Sequence, residues 1–85
     1  MPSKTVTVGS SVGLHARPAA VISEAAGELD SEVTLAVPGD EPVDAASSLL
    51  IMTLGAACGD QVVVAGDDQA AVDKIAALVE QDLDA

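Results

Sequence analysis

The apolar residues of this 85-residue chain repeat with a period of two in some stretches and near 3.6 in others, and that switching constrains the fold most. Residues 4–8 alternate polar and apolar, as a half-buried strand does, with Val6 and Val8 on one side. Residues 9–13 are rich in turn formers. A helix is predicted over 16–28: Ala19, Ile22, Ala26 and Leu29 keep the spacing of one helical face, Glu24 and Glu28 point outward, and Gly27 marks the fraying end. Residues 32–37 return to period two, with Val33, Leu35 and Val37 on one side. Pro38, Gly39, Asp40 and Glu41 then turn the chain into a short strand at 42–45, where Pro42 is confined to the start or an edge.

Residues 47–55 read as a short helix begun by a serine and stopped by Gly55. It is apolar nearly all round, so part of it must face either the core on two sides or a protein partner. Residues 60–66 form the strongest strand. Asp67 and Asp68 supply an N-cap for a last helix, with Val72, Ile75, Ala76, Val79 and Leu83 on one stripe and Asp73, Lys74, Glu80 and Asp82 elsewhere. The order β-α-β-β-α-β-α, with one apolar face per helix, predicts an α+β two-layer sandwich. Its helices lie on one face of an antiparallel sheet, in a single domain over 1–85. The chain has no Phe, Tyr or Trp, so the core is expected to consist of Val, Leu, Ile, Ala and Met.

Charge narrows the partners. A net charge of -11 argues against nucleic acid and against direct binding to anionic membrane, both of which the surface would repel. The acidity is suited to solubility, to steering basic partners or to a salty environment. No signal peptide and no apolar run of membrane-spanning length is read, so the expected location is cytoplasmic. Cys58 has no second thiol to pair with and is expected to be a small buried or half-buried filler. One His and one Cys give no zinc-site spacing, and no metal or cofactor is expected. Asp40 with Glu41, and Asp67 with Asp68, read as turn and cap residues, not as paired catalytic carboxylates.

The chemistry concentrates in Gly13-Leu14-His15-Ala16-Arg17-Pro18-Ala19-Ala20, which holds the only histidine and one of three cationic side chains. Pro18 suits the first turn of a helix, whose amide protons have no intrahelical partner. Those amides and the positive end of the helix dipole favour an anion, and His15 falls just there, with His15 or Arg17 as the cap. An imidazole nitrogen is a competent nucleophile near neutral pH, and the planar guanidinium of Arg17 matches phosphoryl oxygens. All 14 acidic residues lie at Glu24 or later, so in sequence the motif is free of acids. Standing alone, a histidine is more often a structural or surface residue; the surrounding Gly, Arg and Pro give it its weight.

The stretch from Gly13 to Ala19 resembles the active-site signature of HPr, the histidine phosphocarrier of the bacterial sugar phosphotransferase system. The order of elements is similar to that family's open-faced sandwich over essentially the whole chain. The resemblance implies that His15 is phosphorylated on its δ nitrogen and that Arg17 attends the phosphoryl group with the backbone amides of Ala16 and Arg17. It implies enzyme I as donor and enzyme IIA domains of sugar permeases as acceptors. The chain would then be no enzyme in the turnover sense, but a monomeric carrier cycling between two states.

Ser47 matches a regulatory serine of the family, which adds a serine kinase and transcriptional regulators to the partners; read locally, it is an N-cap. Ala46 stands where regulated members often carry Lys, and Ser48 where a larger apolar residue is common. Ala20, Ser48, Leu49 and Met52 are candidates for a docking patch around His15, with core packing as the alternative for Leu49 and Met52. The same motif serves a nitrogen-linked phosphotransferase branch. A protein-binding regulator on the same fold, without carrier activity, would not need His15. An acyl carrier protein is also small and acidic, but residues 44–47 lack its Asp-Ser-Leu attachment site and residues 61–65 form a strand.

Overall fold

The computed structural model describes residues 2–11 and 13–81. Within them the elements follow in the expected order: β1 (Ser3–Thr7), α1 (Ala16–Gly27), β2 (Val33–Ala36), β3 (Val43–Asp44), α2 (Ser48–Thr53), β4 (Gln61–Gly66) and α3 (Gln69–Glu80). Val12 of the first loop, and Asp82 and Leu83 of the expected last helix, lie outside the described residues.

The strands form one sheet in the order β1-β4-β2-β3, with every neighbouring pair antiparallel. β4 takes an inner position, paired with β1 on one edge and β2 on the other, and its run of Val62, Val63, Val64 and Ala65 is apolar at both parities. Register places Val6 opposite Val62, Leu35 opposite Val64 and Val33 opposite Gly66. All six are buried, and together they make the helix-facing side of the sheet. On the other side Thr5 and Ala36 lie opposite Val63, and Thr34 opposite Ala65. Val63 and Ala65 are only half-buried there, so the sheet is open on that face. Between β2 and β3, the Asp40 N–H donates to the Val37 carbonyl at 2.9 Å and closes the turn through Pro38 and Gly39.

α3 lies over β1 and β4, and α1 packs against both α2 and α3. α1 buries Pro18, Ala19, Ile22 and Ala26, and α3 buries Ala71, Val72, Ile75, Ala76 and Val79, the faces that the helical spacing implied. Ile22, Leu35, Ile51 and Ile75 are the largest fully buried side chains, and small alanines let the helices approach closely enough to exclude water without aromatic rings.

The expectation for Cys58 is overturned: it is exposed. It sits at the apex of the turn that joins α2 to β4, where the Asp60 N–H donates to the Ala57 carbonyl at 2.9 Å and the chain has no interior to fill. The first loop is held where no local pattern indicated. The Gly9 N–H donates to the Val79 carbonyl at 3.1 Å, a Cβ on Gly9 would overlap the Glu80 carbonyl oxygen, and the hydroxyl of the fully buried Ser10 donates to the Gln81 carbonyl at 3.3 Å. The chain leaving β1 is thereby fastened to the far end of α3.

Candidate functional site

His15 is the N-cap of α1, with an extended backbone at φ -90° and ψ -163°, and of the two caps the sequence allowed it is the one realised. Its carbonyl accepts the Ala19 N–H at 2.9 Å, while its imidazole makes no capping bond and is exposed. Ala16 and Arg17 occupy the first two helical positions and buried Pro18 the third. Proline disfavours a helical conformation in the residue before it. Here the burial of Pro18 beside Ala19 and Ile22 outweighs that preference at Arg17.

The first turn has consequently only two amide donors, those of Ala16 and Arg17, because Pro18 has none. Among the described residues neither donates to a protein acceptor, and no acidic side chain stands in that turn. The Arg17 side chain is exposed and in no ion pair among the described residues. An exposed imidazole, an exposed guanidinium and two open amides thus belong to three consecutive residues at the positive end of a 12-residue helix. That set can bind a dianion and offer a nitrogen nucleophile to its central atom.

The loop before α1 rests on a distant segment. The Leu14 N–H donates to the Ala56 carbonyl at 2.9 Å, Leu14 is buried, and the Gly13 N–H donates to the Ser10 carbonyl at 2.9 Å. Gly13 has φ +78°, and a Cβ there would lie 2.5 Å from the Ala56 carbonyl oxygen and 2.9 Å from Ala57 Cα. Glycine at this position is therefore required twice, by conformation and by space. Residues 56–60 were not among the expected site residues, since nothing local marks them. They also qualify the acid-free reading of the motif: the turn that carries Asp60 packs directly against Gly13.

Of the proposed docking residues, Ala20 is exposed on α1 and Ser48 is half-buried. Leu49 is 68% exposed and Met52 36%, which excludes core packing as the reason for their apolar character. Leu50, 40% exposed, belongs with them and was missed, although the all-round apolar composition of α2 pointed to it. In α2 only Ile51 is buried.

The Leu14–Ala56 bond sets the C-terminal end of α2 beside the His15 loop. Ser47 lies at the opposite end of α2, about 9 Å away along six helical residues. Its hydroxyl accepts the Leu50 N–H at 3.3 Å, so Ser47, and not Ser48, is the cap. A cavity of about 280 Å³ opens at the C-terminal end of α1, lined by Gly27, Asp30, Glu32, Asp44 and Ala46. It is one helix length from His15, whose imidazole lies on the exposed surface at the opposite end of α1.

Comparison with known proteins agrees with this geometry. The family model described as "PTS HPr component phosphorylation site" matches residues 2–81. The chain is 40% identical over 87 residues to phosphocarrier protein HPr of Streptomyces coelicolor, covering 99% of this chain and 94% of that one. It is 37% identical over 84 residues to phosphocarrier protein NPr of Shewanella violacea, covering 95% and 91%. The crystal structure of HPr-C-His from Thermoanaerobacter tengcongensis superposes with a TM-score of 0.87 at 27% identity, covering 100% of this chain and 98% of that one.

Proposed function

The chain belongs to the PTS-HPr family, and from that premise we propose that it is a phosphocarrier which accepts a phosphoryl group on His15 from phosphorylated enzyme I and passes it to enzyme IIA domains, driving phosphoenolpyruvate-dependent sugar uptake. The observation that carries this reading is the exposed His15 at the start of a helix whose first amides are open. A ring nitrogen, the δ nitrogen by resemblance, attacks the phosphorus while the bond from phosphorus to the donor breaks. In the next step the nucleophile of the acceptor attacks the phosphorus and the phosphorus–nitrogen bond breaks, its electron pair returning to the imidazole. Arg17 and the amides of Ala16 and Arg17 hold the phosphoryl oxygens in both steps, so the contribution of the chain is positioning and charge stabilisation. An exposed site that binds the anion loosely suits a relay between two partners, because tight binding would stall it.

Further parts of the reading follow from the same surface. Ala20, Ser48, Leu49 and Met52 form the docking patch, with Leu50 beside them. The chain works as a monomeric single domain over 1–85 in the cytoplasm, with no cofactor. Among the described residues no helix is long and apolar enough to cross a membrane. A serine kinase acting on Ser47 would place a dianion at the start of α2, on the same helix as the patch, and would be read by enzyme I or by transcriptional regulators. The similarity to an NPr phosphocarrier favours one second reading, service in a nitrogen-linked phosphotransferase branch.

The test is phosphoryl acceptance from phosphoenolpyruvate and enzyme I, read by intact mass and acid lability for the wild type and His15→Ala. One acid-labile group that is absent from the variant is the expected outcome. An unchanged level in His15→Ala would sink the assignment. Acceptance of the group by sugar-specific IIA domains or by those of a nitrogen branch then separates the two pathways.

A further inference from the structure

We infer that Asp60, outside the phosphoryl-binding set, is a positioning residue for His15. This rests on the carrier reading above. The Asp60 carboxylate accepts the Ala57 N–H at 3.0 Å, and its own N–H donates to the Ala57 carbonyl at 2.9 Å, so both polar groups of Ala57 are tied to one residue. The turn is welded in turn to the end of β1: the Val8 N–H donates to the Asp60 carbonyl at 2.9 Å, and the Gly59 N–H donates to the Val8 carbonyl at 3.0 Å.

The catalytic loop sits on this clamp. The Ala56 carbonyl takes the Leu14 N–H at 2.9 Å, and Gly13 is in direct contact with Ala56 and Ala57, without room for one more carbon atom. A rotation of the 56–57 peptide would therefore move Leu14, and with it the extended backbone of His15 that presents the imidazole at the helix mouth. The Ala57 N–H is at the exposed edge of the turn, where water can replace the carboxylate. Loss of Asp60 costs the protein little stability for that reason, but it loses the fixed geometry. Small misplacements of a reacting group slow transfer steeply.

The test compares Asp60→Ala, Asp60→Asn and the charge-matched control Asp73→Ala, whose carboxylate accepts from Gln69 on the exposed side of α3. Asn keeps an oxygen acceptor and loses the charge, so it separates position from electrostatics. Two readouts are taken on each: the rate of phosphoryl transfer from phosphorylated enzyme I, and hydrogen exchange at the Leu14 amide. Asp60→Ala is expected to slow transfer by about tenfold and to lower Leu14 protection by a similar factor. Asp60→Asn and Asp73→Ala are expected to stay within about twofold of wild type in both readouts.

Wild-type behaviour of Asp60→Ala in transfer or in Leu14 exchange would overturn the inference. So would an equal effect of Asp60→Asn, which would assign the effect to charge. In these cases the wild type still accepts the phosphoryl group and the carrier reading stands. A wild type that accepts none from an active cognate enzyme I removes the carrier reading itself, and the inference with it.

Discussion

The starts of α1 and α3 are built from the same 12-residue length of helix and finished in opposite ways. At α3 the Asp68 carboxylate accepts the Ala70 N–H at 3.2 Å, so the anion that a helix mouth favours is supplied by the chain itself. At α1 the cap residue is a histidine that makes no capping bond, the third position is a proline without a donor, and the amides of Ala16 and Arg17 are left open. What fixes α1 is backbone: the Leu14–Ala56 bond and the contact of Gly13 with Ala56 and Ala57. One mouth is closed by its own carboxylate, whereas the other is held from behind and has two amides without a protein acceptor among the described residues, the place the proposed carrier reading gives to the phosphoryl group.

Breaking the backbone support should have the largest effect. Gly13→Ala forces a Cβ against the Ala56 carbonyl at a φ of +78°, and we expect a loss of about 2–3 kcal/mol in chemical denaturation together with impaired phosphoryl transfer. Arg17→Ala is expected to slow transfer by about tenfold, or ~1.4 kcal/mol of barrier, while circular dichroism and melting temperature stay at wild-type values. An unfolded Arg17→Ala would erase the distinction between the two helix starts, because it would make the open one structural. Asp68→Ala should do the reverse: a loss of about 1 kcal/mol in denaturant midpoint with transfer unchanged. Ser47→Ala removes the longer and weaker cap of α2, and its expected cost is about 0.5 kcal/mol, again with acceptance intact.

The contrast also separates what could be read in the sequence from what could not. Periods two and 3.6 located the strands, the helices and their buried faces, because both patterns reflect local geometry. His15, Arg17 and Pro18 announced the open mouth, and Asp68 the closed one, since caps act within a few residues of themselves. The support behind α1 was invisible for the opposite reason. Ala56 and Asp60 lie more than 40 positions from His15 along the chain, and an alanine carbonyl has no signature until the fold brings it beneath Leu14. Cys58 was misplaced for a related reason: its type favours burial, but the turn between Ala57 and Asp60 has no interior. The burial of Ser10 against Gln81 and the seating of Gly9 on the end of α3 are equally long-range. The apolar composition of α2 left core and partner open, and only the placement of Leu49, Leu50 and Met52 on its outer side decided between burial and exposure.

The most direct measurement of the central claim is the change in backbone amide resonances when His15 is phosphorylated. If the start of α1 is an anion receptor, the N–H protons of Ala16 and Arg17 shift strongly downfield in the phosphorylated protein, while those of Ala70 and Leu50, already occupied by Asp68 and Ser47, keep their positions. Unmoved Ala16 and Arg17 amides in a protein carrying the phosphoryl group on His15 would contradict the account.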